Sequence, residues 1–311
     1  MQERILVTVA HPDDAELLLG GTLIVKARQG ASIRIAAATN GAWGSLSIPP
    51  EELIPIRRAE AERAATHYGG EVHFLGPGGS GYRDGSLGAC DFDMLCEEIV
   101  YQIREFRATC VATFNPRVFD AHPDHTAIGR ATAAAMLFCD LPNAYAHQAA
   151  SGLSPHCVSS RILFAVDRTW DNCVFDITTA MDAKIAALLE HESQCTVLVG
   201  ERAAQAGSAG LDVSWVGADA ANGEMVRELI ARAARHRART VTVDRRLGRL
   251  RGWLTGCRFA ESFWYGPLPP ALMDALAEER VLYTLWTILR GKRAERLFWM
   301  CVRRIHGLRA S

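Results

Sequence analysis

RILVTVAHPDDAE, residues 4–16, changes character at its middle. RILVTVA is a short β-branched and apolar run, the pattern of a parallel strand buried on both faces. His11-Pro12 ends it, because proline cannot donate to a central ladder. Glu16 to Gln29 then reads as a helix closed by Gly30. The stretch is thus a strand followed by a helix, with His11, Asp13 and Asp14 held at the strand's carboxyl end.

Working outward, SIRIAAAT (32–39) is a second strand that ends in the loop NGAWGS. Residues 57–68 read as a helix stopped by Gly69-Gly70, and EVHFLG (71–76) as a third strand. GPGGSGYRDGSLG (76–88) holds too many glycines for a regular element and reads as a loop. Residues 92–106 place Leu95, Ile99, Ile103 and Phe106 at helical spacing, and TCVATFN (109–115) follows as a strand. Then come a helix over 125–138, strands over 161–166 and 173–178, and a helix over 180–194.

Strands alternating with helices predict an α/β fold, a Rossmann-like, mostly parallel sheet flanked by helices. The regular pattern makes 1–195 an α/β catalytic core. Residues 196–311 are a less regular, mainly helical carboxyl-terminal portion: a Gly/Ala/Ser-rich lid or insertion over 196–220, an arginine-rich helix over 225–239, and terminal helices after GPLPP.

A chain of 311 residues, 49% hydrophobic and 22% charged, can bury a substantial core. Its net charge of −1 offers no general attraction to nucleic acid. Nine cysteines without a Cys-x-x-Cys pair fit a reducing compartment better than a disulfide framework or a zinc ribbon. The N-terminus lacks the pattern of a secretory signal, and no stretch of about 18 apolar residues occurs, so the expected location is the cytoplasm.

A second His-Pro-Asp occurs at His122-Pro-Asp-His125, shortly after the strand 109–115. In an open parallel sheet ligands bind at the carboxyl ends of the strands, so two loops far apart in sequence can meet at one crevice. Together they offer two imidazoles and a carboxylate for a metal, with a second carboxylate left over. Three ligands of the His/His/Asp type leave a position for water, as in catalytic rather than structural zinc sites. The metal lowers the pKa of that water toward about 7, the spare carboxylate takes its proton, and an imidazole outside the coordination shell stabilises an oxyanion. Each motif alone would also serve as a turn, with Asp14 or Asp124 capping the helix that follows. Two such motifs, each after a strand and before a helix, favour the metal-dependent hydrolase.

These motifs resemble the PIG-L (LmbE-like) family of metal-dependent de-N-acetylases. AHPDDAE and HPDH are similar to the family's two motifs. TNGAWGS (39–45), Arg57-x-x-Glu60-Ala61, RDG (83–85), the Lys184 to Gln194 stretch and AESF (260–263) agree in order. The resemblance implies an N-deacetylase acting on an amino sugar or amino-sugar conjugate. It implies His11, Asp14 and His125 as ligands of Zn2+, with Fe2+ or Co2+ also suited to the set. It implies Asp13 as the general base and His122 as oxyanion stabiliser, oriented by Asp124. Arg57, Arg83 and Asp84 are expected substrate contacts, since guanidinium and carboxylate groups suit sugar hydroxyls or a phosphate. The loop departs from the family at Ala42, where an acidic residue is common. His191, late in an amphipathic helix, is read as structural.

Two further readings compete. A Rossmann nucleotide binder needs Gly-x-Gly-x-x-Gly after the first strand, and HPDDAE occupies that turn with carboxylates that would repel a pyrophosphate. A non-catalytic metal-binding scaffold would have lost a ligand or the base, yet all are present. The last stretch, 281–311, mixes Leu282, Trp286, Leu289, Phe298 and Trp299 with arginines. It reads first as a helix packing on the core or in a homo-oligomer, and second as a peripheral membrane contact.

Overall fold

The computed structural model describes residues 2–45, 47–117, 122–165, 171, 173–208, 223–243 and 258–267. The proposed terminal helices, the tail at 281–311 and much of the expected lid lie outside these residues.

The apolar run at the start of the chain forms β1 (Arg4–Val9), in which Ile5, Leu6 and Val7 are fully buried. It pairs in parallel with β2 (Ser32–Ala37) on one side and β4 (Cys110–Phe114) on the other. β3 (Glu71–Phe74) lies beyond β2, and β5 (Ser160–Phe164) beyond β4, both in parallel. β7 (Ala260–Pro267) runs antiparallel between β5 and the edge strand β6 (Cys173–Asp176). The seven-stranded order is β3-β2-β1-β4-β5-β7-β6, a mixed sheet.

This order reverses direction at β1: the chain moves outward to β3, then crosses back to β4. Right-handed crossovers therefore put α1 (Asp14–Arg28) and α2 (Pro50–Thr66) on one face, and α3 (Phe92–Phe106) and α4 (Pro123–Phe138) on the other. The short α5 (Ala146–Ala150) follows α4; α3 packs on α4, and α1 on α6 (Met181–Leu189). The crevice outside the ends of β1 and β4 is the switch point where open sheets bind ligands. The His11 and His122 loops leave those two strands.

Three boundaries differ from the sequence reading. α2 begins at Pro50 rather than 57: Pro50 occupies the first turn, where a missing N–H costs nothing, and fully buried Leu53 anchors the added turns past Pro55. The helix expected over 180–194 is broken. Buried Glu60 accepts bonds from Ser193 N (2.8 Å) and Ser193 Oγ (2.6 Å), which starts a separate α7 (Glu192–Ser208). The arginine-rich helix is α8 (Gly223–Val243).

The third difference is β7, which periodicity did not place. Its Glu261 is buried and accepts from Gly21 N (3.1 Å), Thr22 N (2.8 Å) and Thr22 Oγ1 (2.6 Å), and it forms an ion pair with buried Lys184. The Lys184 and AESF stretches thus meet on α1, a structural reason for both. His191 is likewise buried, 3.1 Å from Glu16 Oε2, while Tyr68 donates to the other oxygen of Glu16. Among the described residues no helix is long and apolar enough to cross a membrane.

Candidate metal centre

β1 ends at Val9, and the chain turns through His11-Pro12-Asp13 before α1 begins at Asp14. The turn is closed by the His11 amide, which donates to Asp14 Oδ2 at 2.8 Å. β4 leads to His122, the cap of α4, whose first turn carries Asp124 and His125. Because β1 and β4 are neighbours, the two turns face each other.

Their side chains converge closely. His11 Nδ1 lies 3.5 Å from Asp14 Oδ2 and 3.2 Å from His125 Nε2, and His125 Nε2 lies 3.4 Å from Asp14 Oδ1. Ligand atoms about 2.0–2.2 Å from one ion at tetrahedral angles stand about 3.3–3.6 Å apart. The three expected ligands therefore already sit at nearly the spacing a divalent metal requires. The His122 ring stands beside them, 4.4 Å from the ring of His11 and 4.9 Å from that of His125.

The other nitrogen of His11 faces carboxylates: Nε2 is 3.2 Å from Asp84 Oδ1 and 3.7 Å from Asp124 Oδ2. A ligating imidazole usually gives its second N–H to such an oxygen, which fixes the tautomer and leaves the first nitrogen for metal. These carboxylates are themselves held by amides. Asp124 accepts from Gly85 N (2.7 Å) and Leu87 N (3.0 Å), and Asp84 from Trp43 N (3.0 Å). His11, Asp84 and Asp124 also lie close enough together to form a metal-holding group. His11 cannot offer both nitrogens to one ion, and the carboxylates on Nε2 suit an outer support.

Charge points the same way. Burial opposes ionisation of Asp14, but the bond and charge of His11, and then of His125, hold its carboxyl far below the ordinary range. Burial likewise acts against Asp84 and Asp124, and His11 with nearby amides outweighs it, so both are held low. His11 feels burial downward and the carboxylates of Asp124, Asp14 and Asp84 upward, and the sum holds it well above its usual value. Three carboxylates held on the acidic side of their usual range thus gather around His11, and a donor set of imidazole and carboxylate fits a divalent ion. Burial and then the charges of His11 and His125 push His122 down.

Three placements differ from the sequence reading. Asp124 does not turn its carboxylate to His122. That group is committed to Gly85, Leu87 and the His11 side, and the bond to His122 runs from the Asp124 amide to Nδ1 at 3.3 Å. Asp84, an expected substrate contact, is buried in the cluster with its carboxylate on His11 Nε2 and the Trp43 amide. Arg57 is 2% exposed: one guanidinium nitrogen pairs with Asp13 Oδ1, and another donates to Gly41 O at 3.1 Å. Both terminal nitrogens of this buried fork are thus committed to protein oxygens, one of them on Asp13. Only Arg83 stays at the surface, its guanidinium 4.9 Å from the Trp43 ring centroid.

The NGAWGS loop is shaped around Arg57, a relation the sequence reading missed. A Cβ on Gly41 (φ +66°) or Gly44 would stand 2.5 Å from Arg57 Nη1, so both glycines make room for the guanidinium. Gln194 donates to Gly44 O at 2.9 Å and ties the loop to α7. The paired glycines were the available signal.

Residues 6–136 match the family model described as PIG-L, GlcNAc-PI de-N-acetylase. The chain is 29% identical over 200 residues to a diacetylchitobiose deacetylase of Thermococcus kodakarensis, covering 62% of this chain and 70% of that protein. It is 32% identical over 161 residues to a 1D-myo-inositol 2-acetamido-2-deoxy-alpha-D-glucopyranoside deacetylase of Kineococcus radiotolerans, covering 43% of this chain but only 45% of that relative. Among solved structures, N,N'-diacetylchitobiose deacetylase from Pyrococcus horikoshii superposes with a TM-score of 0.64. The superposition covers 85% of this chain and 84% of that one at 23% identity, a likeness of fold. The family model spans residues 6–136, the stretch that carries both motifs of the crevice, and over that stretch the chain is similar to the PIG-L family.

Proposed function

We propose that the protein is a metal-dependent hydrolase that removes the N-acetyl group of an amino sugar or amino-sugar conjugate. The observation that carries this reading is the spacing of His11 Nδ1, Asp14 and His125 Nε2, with the separate carboxylate of Asp13 on the adjoining residue. The deacetylases among its relatives support the substrate class.

His11, Asp14 and His125 would hold the ion, with Zn2+ as the first choice and Fe2+ or Co2+ as substitutes. The ion supplies Lewis acidity, which makes a water acidic near neutral pH and polarises a carbonyl. Asp13 is the base. Arg57 occupies its Oδ1, so Oδ2 is left to take the proton as the water oxygen bonds to the acetyl carbon. His122 accepts the Asp124 amide at Nδ1, which puts the ring proton on Nε2, where it can donate to the developing oxyanion. As the C–N bond breaks, the proton held on Asp13 passes to the leaving nitrogen. Acetate and a free amine result. Asp84 and Asp124 serve by orienting His11.

A hydrolase of this kind is tested by acetate release from a panel of N-acetylglucosaminyl compounds, with Asp13→Asn as control. No release by metal-loaded protein from any member would overturn the reading.

A further inference from the structure

Trp43 is 57% exposed, and among the described residues no large apolar side chain is more so. An indole left in water forgoes hydrophobic burial, and on a mobile loop that would carry little meaning. This loop is tied at every step. The Asn40 amide donates to Tyr82 O (2.9 Å), the Ala42 amide to Asn40 Oδ1 (3.2 Å) and the Trp43 amide to Asp84 Oδ2 (3.0 Å). Gly41 and Gly44 clasp buried Arg57. The indole itself rests on Gly85, where a Cβ would come within 2.7 Å of Cζ3 and 2.8 Å of Cε3, so only glycine allows it to lie there. The guanidinium of exposed Arg83 steadies it from 4.9 Å.

The ring is also fixed relative to the chemistry. Trp43 N is one hydrogen bond from Asp84, and Asp84 Oδ1 is 3.2 Å from His11 Nε2. The Trp43 backbone is thus tied to a carboxylate that touches a candidate metal ligand, while its indole is exposed to solvent.

We propose that Trp43 and Arg83 form a rim subsite for a second pyranose ring, linked to the N-acetylated sugar that is cleaved. This rests on the deacetylase reading above. A pyranose has a face of C–H bonds with slight positive charge, complementary to the negative face of an indole, and a girdle of hydroxyls. Arg83, whose guanidinium lies over the indole, supplies N–H donors beside it for the hydroxyls of such a ring. An acyl chain would match the indole but would desolvate the guanidinium beside it without replacing its hydrogen bonds.

The test compares Trp43→Ala, Trp43→Phe and the wild type, all metal-loaded, on N,N'-diacetylchitobiose and on N-acetylglucosamine. Trp43→Ala is expected to lower kcat/KM for the disaccharide about tenfold, mainly through KM, and to leave that for the monosaccharide within about twofold. Trp43→Phe, which keeps a flat ring, should recover part of the loss. If both substrates are turned over and their ratio is the same in Trp43→Ala as in the wild type, the subsite is overturned while the deacetylase reading stands. If the wild type releases acetate from neither sugar, both fall together.

Discussion

Replacing Arg57 by lysine keeps the positive charge and removes the fork that joins Asp13 Oδ1 to Gly41 O. The side chain of Arg57 is 3% exposed, so water cannot readily stand in for the missing nitrogen. A single ammonium on a shorter stem can reach one oxygen but not both in the original geometry. Either the loop loses its central bond or Asp13 is drawn out of place. Shifting a catalytic group by about 1 Å costs about 10²-fold in rate, which is about 2.7 kcal/mol of barrier. Losing one buried hydrogen bond to a charged group removes about 1.5–3 kcal/mol of stability. Arg57→Lys should therefore fold with a lowered melting temperature, bind a full complement of metal, and show kcat reduced about 10²-fold with KM within about threefold. Acetate release, elemental analysis and thermal melting on one preparation measure all three. Arg57→Ala should regain part of its kcat when millimolar guanidinium is supplied. Wild-type kcat in Arg57→Lys, or a loss wholly in KM, would refute the positioning argument and return Arg57 to the substrate-contact role that its residue type first suggested.

Asp13→Asn should keep its metal and lose at least about 10²-fold in turnover, since a positioned base contributes on that order; near-normal turnover would take the base role from Asp13. His125→Ala removes one of three protein ligands, so metal content and activity should fall together in dialysed protein. The raised pKa of His11 means that a proton competes with metal at that ring. Lowering pH should thus weaken metal affinity by up to about tenfold per unit below that pKa, and a flat titration from pH 8 to 5 would contradict it. Arg104, 1% exposed, donates to Cys139 O (3.0 Å), Leu141 O (2.9 Å) and Ala144 O (3.0 Å), closing the turn after α4. Arg104→Met strands those carbonyls, and denaturant unfolding should record a loss of about 3–5 kcal/mol.

Much of this molecule is written locally. RILVTVA becomes β1 because a short β-branched run suits a strand buried on both faces, and His11-Pro12 must end it. The helix with Leu95, Ile99, Ile103 and Phe106 follows from their spacing, and these four side chains are all buried. The two His-Pro-Asp motifs were legible as strand-end groups, because metal chemistry needs particular residue types whatever the fold.

Strand order was not legible. That β4 lies beside β1, so that His125 meets His11, depends on which apolar faces pack together over a separation of a hundred residues. β7 shows the same limit from the other direction: AESF joins the sheet because its glutamate satisfies amides on α1 and the ammonium of Lys184. Arg57, Asp84 and Asp124 were found as residue types but assigned to other partners. A charged side chain bonds to whatever the packed backbone brings within about 3 Å, and residue type alone does not say what that will be. The sequence by itself determined the elements and the chemical inventory of the crevice. Only the tertiary structure decided which carboxylate supports His11 and which is clasped by Arg57, because those pairings arise between segments that local pattern does not connect.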